Sequence, residues 1–175
     1  MPRNIEIKAR LRDAAELAAV AQRAAALATA PPAWLDQDDT FFAVPHGRLK
    51  LRRFADGTAE LIHYHRDDDP ASRASDYVRV AVPDADALQA ALARGCGLAG
   101  RVRKRRQLFL AGATRIHLDM VEGLGPFLEL EVVLADGQDD ASGHAEAGRV
   151  LAALGAAQAP RVAVAYRDLL AGMVA

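Results

Sequence analysis

Charged and apolar side chains alternate along the first strand that the sequence predicts, from Asn4 to Arg12. Successive side chains of a β-strand point to opposite faces of its sheet, so the charged residues share one face and the apolar residues share the other. The charged set is Glu6, Lys8, Arg10 and Arg12. One such strand is the ordinary pattern of a half-buried strand and constrains little by itself.

The same alternation returns in four later segments and brings charges of both signs to one face. These residues are Arg48, Lys50 and Arg52; Lys104 and Arg106; Arg115, His117 and Asp119; and Glu129 and Glu131. One interpretation is that they line an outward, solvated face and pair off across strands. Five such strands together favour the other interpretation, a closed sheet whose interior is charged, because a solvated face does not need to gather so many cationic strands and a carboxylate pair.

Turn and cap signals divide the chain into about eight strands with helices inserted between them. Strands are predicted near residues 4–12, 39–44, 48–54, 58–66, 76–82, 100–110, 114–122 and 127–134, and helices near 13–27, 84–94, 139–155 and 162–173. Most strands are joined by hairpins, of which the Asp56-Gly57 turn is the clearest. We therefore predict an α+β domain covering residues 1–175, with a closed eight-stranded antiparallel barrel within about 3–135 and C-terminal helices within about 139–173.

Composition limits the function classes. A chain of 175 residues with 51% hydrophobic and 26% charged residues is typical of a globular domain. Its net charge of −1 argues against general nucleic-acid binding, so an anion site must come from local clustering of cations. The lone Cys96 excludes an internal disulfide, and no signal-peptide core or membrane-length apolar run is present. We expect a cytoplasmic protein with no membrane partner, and the heavy Ala, Arg and Asp usage suggests a bacterial source.

A charged interior of this kind suits a polyphosphate. Arg side chains bind phosphate oxygens bidentately and Lys supplies a compact positive charge. Carboxylates fit the same cavity if a divalent cation lies between them and the phosphates, and Mg²⁺ or Mn²⁺ takes such oxygen ligands. Glu129 and Glu131 face one way and could share that metal, with Glu6 joining from the first strand.

Several segments resemble one family in order and spacing. A hallmark strand of the form E-x-E-x-K stands here as Asn4-Ile5-Glu6-Ile7-Lys8, and further matches are Asp39-Thr40-Phe41-Phe42, Leu49-Lys50-Leu51-Arg52, Lys104-Arg105-Arg106, Leu118-Asp119, residues 123–131 and residues 165–170. The chain resembles the CYTH, or triphosphate tunnel metalloenzyme, superfamily, which includes class IV adenylate cyclases, thiamine triphosphatases and inorganic triphosphatases. The resemblance implies a tunnel of eight antiparallel strands, charged inside, with helices packed outside.

The resemblance also implies roles for individual residues. Lys8, Lys50, Arg52, Lys104 and Arg106 would hold the triphosphate, with Arg10 and Arg115 assisting by strand parity; Glu6, Glu129 and Glu131 would bind Mg²⁺ or Mn²⁺; and Lys8 and Asp119 would act in catalysis. The implied substrates are tripolyphosphate, ATP or thiamine triphosphate. The implied reaction is hydrolysis of a phosphoanhydride or cyclisation of ATP to cyclic AMP, and residue types alone leave that choice open.

Some positions depart from the family pattern. Asn4 replaces the first glutamate of the hallmark, which should weaken metal binding, and the fourth and fifth strands differ around Tyr64 and Asp76. The alternative function is therefore a non-catalytic sensor that binds a phosphate or nucleotide beside an incomplete metal site. The apolar face of the first helix leaves room for a homodimer; its residues are Leu17, Val20, Ala24 and Leu27.

Overall fold

The structure is a computed structural model that describes residues 3–65 and 76–173. Its strands are β1 (Arg3–Arg10), β2 (Ala33–Phe42), β3 (Arg48–Phe54), β4 (Ala59–His65), β5 (Asp76–Ala81), β6 (Leu98–Ala111), β7 (Thr114–Val121) and β8 (Gly125–Leu134). Its helices are α1 (Ala14–Leu27), α2 (Ala85–Gly95), α3 (Asp140–Ala153) and α4 (Tyr166–Gly172). The predicted α+β class is confirmed, and the predicted loop at residues 67–70 lies outside the described residues.

All eight strands belong to one antiparallel sheet. Their order is β1-β8-β7-β6-β2-β3-β4-β5, so β1 and β5 lie at the two edges. Within residues 3–65 and 76–173 no strand pairing joins those edges, so hydrogen bonds do not close the sheet and the predicted barrel closure is not confirmed. The edge of β1 is instead partly covered near the end of the chain, where Arg10 N donates to Pro160 O at 2.9 Å and Val162 N donates to Lys8 O at 2.9 Å.

Strand register gives the sheet two chemically different faces. Glu6 lies opposite Glu131, Lys8 opposite Glu129, and Arg106 opposite Asp119. We call this side the charged face; its members include Glu6, Lys8, Asp39, Lys50, Arg52, Lys104, Arg106, Arg115, His117, Asp119, Glu129 and Glu131. The alternation along each strand therefore predicted correctly which side chains share a face.

The opposite face carries the main apolar core. Helices α1 and α3 cover its β6–β8 half, where Ile116, Leu128 and Leu130 are each 0% exposed. Helix α2 covers the other half, around Phe42 and Leu51. Three of the four helices thus lie on the apolar face, because their apolar stripes need a matching surface.

Helix α1 begins as its sequence predicts. The Asp13 side chain accepts a hydrogen bond from Glu16 N at 2.8 Å, which caps the first turn. Its apolar face is used within the chain: Val20 and Ala24 are buried in the core, and Leu17 and Leu27 pack against it. Because this face packs within the chain, it does not support the expected homodimer, which stays an untested prediction.

The last helix differs from the sequence prediction. Helix α4 covers Tyr166–Gly172 only, so residues 162–165, which were predicted to begin the helix, are not helical. Residues 160–162 run along β1. Contrary to the expectation that the helices pack outside the charged sheet, α4 lies on the charged face, where Tyr166 joins a cluster with Phe127 and Phe41. None of the helices in the described ranges is long and apolar enough to cross a membrane.

Candidate functional site

The centre of the charged face is buried, and most of its charges pair with one another. Asp119 is 0% exposed, Asp39 3%, Lys8 4% and Arg106 9%. A buried charge is tolerated when an opposite charge and hydrogen bonds compensate for the lost water. The face therefore divides into small networks, each built around a carboxylate.

The first network is centred on Asp119 of β7. Arg106 donates to both carboxylate oxygens at 2.6 Å, Lys104 Nζ donates to Oδ2 at 3.0 Å, and the Tyr166 hydroxyl donates to Oδ2 at 3.0 Å. Burial by itself would raise the pKa of Asp119, but Lys104 and Arg106 outweigh it and hold that pKa below its ordinary value. Burial and the neighbouring Asp119 carboxylate raise the pKa of Tyr166, so its hydroxyl stays protonated and can donate.

The second network is centred on Asp39 of β2. Lys50 Nζ donates to Oδ2 at 2.8 Å, and Arg52 donates to both carboxylate oxygens at 2.7 Å. Burial opposes ionisation of Asp39, but Lys50 and Arg52 lower its pKa below the ordinary value. Burial also lowers the pKa of Lys50 to about 8, although Asp39 partly offsets that effect. Asp39 therefore holds two of the cations that the sequence assigned to the triphosphate.

Glu129 and Glu131 follow each other along β8 with different partners. Glu129 lies 3.7 Å from both Arg106 Nη2 and His117 Nδ1. Burial would raise the pKa of Glu129, yet Arg106 and His117 keep it well below its ordinary value. The pKa of His117 is lowered by burial and by Arg106.

Glu131 is held by an amide and a guanidinium. Asn4 Nδ2 donates to Glu131 Oε1 at 2.7 Å, and Arg115 Nη1 lies 3.1 Å and 3.2 Å from the two carboxylate oxygens. Asn4 is the residue that replaces the first glutamate of the hallmark strand. Its amide donates to the carboxylate here instead of supplying a second negative charge beside it.

The chemistry of three carboxylates fits a hard divalent cation. Glu6 and Glu131 are register partners on adjacent strands, and Glu129 is two residues from Glu131 on the same face. These oxygen ligands are the kind that Mg²⁺ and Mn²⁺ take. Among the side chains that the structure describes, no three His, Cys, Asp or Glu residues form a group arranged to hold a metal. The residues thus suit such an ion in kind, while Glu131 is committed to other hydrogen bonds.

Two other predicted residues lie near the first network. The Lys8 ammonium lies 4.5 Å from the centre of the Tyr166 ring, and Lys104 lies 5.2 Å from the same centre. The Tyr166 ring therefore brings together cations from β1 and β6, which are separated in the sheet by β7 and β8. Arg10 is more exposed and lies 4.9 Å from the Phe127 ring.

Sequence reasoning missed several members of this face. It did not assign roles to Asp39 or Tyr166, although both stand within segments that carry the family resemblance. It also missed the contact between Arg48 of β3 and Asp168 of α4 at 2.8 Å. Once β2 is known to begin at Ala33, the alternation of side chains places Asp39 on the charged face. The contacts of α4, by contrast, depend on tertiary packing.

Comparison with known proteins identifies the family. A model of the CYTH domain matches residues 2–166. The chain belongs to the CYTH domain family. No functionally curated protein matches it in sequence.

Solved structures share the CYTH fold at low sequence identity. The PH1012 protein from Pyrococcus horikoshii OT3 is 21% identical with a TM-score of 0.81, covering 97% of this chain and 99% of that protein. A Vibrio parahaemolyticus protein provisionally assigned as an adenylate cyclase is 18% identical with a TM-score of 0.68, covering 97% and 98%. The mimivirus capping enzyme triphosphatase is 10% identical with a TM-score of 0.56, covering 87% and 90%. At these identities the similarity concerns the fold.

Proposed function

We propose that this CYTH protein is an enzyme that binds a triphosphate-bearing small molecule on its charged face and cleaves a phosphoanhydride bond with the help of Mg²⁺ or Mn²⁺. The observation that carries the proposal is the gathering of five buried or half-buried cations on one face of one sheet. They are Lys8, Lys50, Arg52, Lys104 and Arg106. Membership of the CYTH family supports the same reading.

The cations would act by binding and neutralising phosphate oxygens. The Nε and Nη2 groups of Arg106 and Arg52 already bind Asp119 and Asp39, so each arginine would offer its remaining N–H donors to an anion. Lys8 and Lys104, both close to the Tyr166 ring, would supply point charges. Buried donors that are held in place before the reaction stabilise the charge that develops as the P–O bond breaks. A metal ion held by Glu6, Glu129 and Glu131 would add Lewis-acid stabilisation of the same oxygens.

Asp119 has a different role in this proposal from the catalytic one predicted by the sequence. Both of its oxygens already accept hydrogen bonds from Arg106, and Lys104 and Tyr166 add further donors. It is therefore a positioning residue that orders two cations toward the substrate. Lys8 stays a candidate catalytic residue: its ammonium donates a hydrogen bond to Val164 O at 3.5 Å and interacts electrostatically with Glu129 in the same cluster of charges.

Phosphorus NMR with Mn²⁺ or Mg²⁺ tests the proposal. Tripolyphosphate, ATP and thiamine triphosphate are offered separately: orthophosphate release identifies a triphosphatase, whereas pyrophosphate with a cyclic nucleotide identifies a cyclase. Arg106→Met and Arg105→Met form a matched pair on β6, since Arg105 is exposed on the other face and lies 3.7 Å from Asp36. We expect R106M to abolish turnover and R105M to retain it. Equal activity of the two variants would contradict the assignment of the charged face as the active site.

The second candidate function is a sensor that binds a polyphosphate or nucleotide without cleaving it. The hydrogen bond from Asn4 to Glu131 favours it, because it withdraws one carboxylate from the implied metal site. Binding that R106M removes and R105M preserves, with no turnover of any triphosphate, would assign the chain to this class.

A further inference from the structure

Gln37 of β2 carries a buried polar atom that nothing in the described part of the chain satisfies. The side chain is 5% exposed, and its amide oxygen Oε1 has no hydrogen-bond partner within residues 3–65 and 76–173. Leaving a buried acceptor unpaired costs free energy, so native proteins keep few such atoms. The unpaired oxygen therefore requires an explanation, and a contact with a bound ligand is one.

Strand register places Gln37 on the charged face. It lies two residues before Asp39 on β2, so the two side chains point the same way. Its direct partner on β6 is Lys104, and its direct partner on β3 is the half-buried Phe54. Lys104 directs its ammonium to Asp119 at 3.0 Å, which leaves the Gln37 oxygen unpaired. Gln37 thus stands between a cation of the proposed phosphate site and an aromatic residue.

Gln37 differs in kind from the groups that would bind phosphate. The lysines and arginines of the charged face offer only N–H donors, which suit the acceptor oxygens of a triphosphate. The Asp39 carboxylate on the same strand already accepts from Lys50 and Arg52. The Gln37 oxygen is an acceptor without a donor, so its match is an N–H or O–H group of a ligand rather than a phosphate oxygen.

We propose that Gln37 is a specificity-determining residue whose Oε1 accepts a hydrogen bond from an N–H or O–H group on the organic part of a nucleoside triphosphate. This inference rests on the proposed function, because it names the class of triphosphate that the charged face takes. The base and the ribose of a nucleotide carry such donors, whereas tripolyphosphate has no organic part. Phe54, beside Gln37, offers apolar surface to the same group.

Isothermal titration calorimetry at pH 7 tests the proposal with ATP and with tripolyphosphate in separate titrations, in EDTA so that metal-assisted turnover does not proceed. Gln37→Met keeps the length of the side chain and removes its amide. We expect Q37M to weaken ATP binding about 10-fold, the effect of leaving one buried hydrogen-bonding group unpaired. Tripolyphosphate affinity should change by less than about twofold, because its contacts are with the cations.

Gln107→Met is the matched control. Gln107 is half-buried on β6 and points to the opposite face, together with its register partners Trp34 and Leu118. Q107M should bind both ligands as the native chain does. If Q37M weakens ATP and tripolyphosphate equally, the amide serves the phosphates or the fold and the proposal is overturned. Unchanged affinity for both ligands would overturn it as well, because the amide would then contact neither.

Thermal unfolding without ligand gives a second readout. Removing an unpaired buried acceptor relieves its desolvation cost, so Q37M should melt at a higher temperature than the native chain. A variant that is more stable when free but binds ATP more weakly is the signature of a group kept for a ligand. A lower melting temperature would instead indicate that the amide supports the fold, and would count against the proposal.

The outcome is separable from that of the proposed function, because phosphorus NMR reports cleavage and calorimetry reports binding. A chain that cleaves a triphosphate, but in which Q37M affects both ligands equally, would refute only the role of Gln37. Selective loss of ATP binding in Q37M, with no turnover of any triphosphate, would refute only the enzymatic proposal. A native chain that binds neither ligand would refute both.

Discussion

The hydroxyl of Tyr166 donates a hydrogen bond to Oδ2 of Asp119 at 3.0 Å, which joins the C-terminal helix to the centre of the charged face. The Tyr166 ring also packs edge-on against Phe127, with centroids 4.9 Å apart. One side chain therefore contributes apolar packing at the end of the face and a polar contact within it.

Replacing Tyr166 by Phe should remove the polar contact and keep the packing. We expect the free energy of unfolding to fall by about 1 kcal/mol, the usual net value of one hydrogen bond. The decrease is larger if the buried Asp119 carboxylate is left with an unsatisfied oxygen. Urea denaturation measures the change. Tyr77→Phe is the control because Tyr77 is 54% exposed on β5, and an equal loss in both variants would contradict a specific role for the Tyr166 hydroxyl.

Removing the charge of Asp119 should be among the most damaging single changes. Asp119→Asn leaves Arg106 and Lys104 without their main counter-ion in a buried place, and breaking a buried ion pair typically costs about 3–5 kcal/mol. Asp36→Asn is the matched control, since Asp36 lies 3.7 Å from Arg105 with both side chains more than half exposed. An exposed pair contributes at most about 1 kcal/mol. Guanidinium denaturation of the two variants compares these values, and similar losses would count against the buried network.

Two glycines of α3 should respond oppositely to alanine. A methyl group at Gly143 would lie 2.5 Å from Ile5 Cγ1 and 2.7 Å from Leu134 Cδ2, so α3 would have to move away from β1 and β8. Such overpacking costs about 1–3 kcal/mol. At Gly148 the added methyl meets no atom within 4 Å, and alanine should stabilise the helix by about 0.5–1 kcal/mol. Melting temperatures that move in the same direction for both variants would refute this packing of α3.

The pKa of Lys50 gives the site a specific pH dependence. Burial lowers that pKa from 10.5 to about 8, so Lys50 loses its charge as the pH rises through 8 and triphosphate affinity should fall there. The unfolded chain binds more protons than the folded chain between those two values, so this group alone makes the free energy of unfolding rise with pH in that window. The loss of affinity is therefore separable from unfolding.

Isothermal titration calorimetry with tripolyphosphate at pH 7, 8 and 9 measures this effect. Lys50→Arg keeps a positive charge throughout, because a guanidinium does not deprotonate in this range. Its affinity should stay level where that of the native chain declines. Parallel declines in the two proteins would exclude Lys50 as the titrating group.

The strands and their faces could be predicted because they depend on local periodicity. The alternation through Glu6 and Lys8, and through Lys104 and Arg106, determines which side chains face together whatever their partners. The turn at Gly57, with φ of 84°, also follows from local sequence, since glycine adopts that conformation without strain. Helix α1 ends at Leu27, shortly before Pro31-Pro32, as predicted.

The remaining features depend on contacts between distant segments. The sequence predicts a helix from residue 162, but contact with β1 gives Val162 N an acceptor in Lys8 O, and the helix begins only at Tyr166. The sequence likewise predicts that Asp39 lies in a strand without revealing that it would bind Lys50 and Arg52. Closure of the sheet is a global property that strand count alone cannot decide.

The partners of β1 have a consequence for synthesis of the protein. Strand β1 is synthesised before its pairing partners, which within the described ranges are β8 and the segment at residues 160–162. Until those partners are synthesised, the backbone donors and acceptors of β1 can pair with strands of other nascent chains. Charged side chains on exposed strands reduce such pairing in natural proteins. The charged residues of β1 that we propose to bind phosphate and metal would thus also reduce aggregation of the nascent chain.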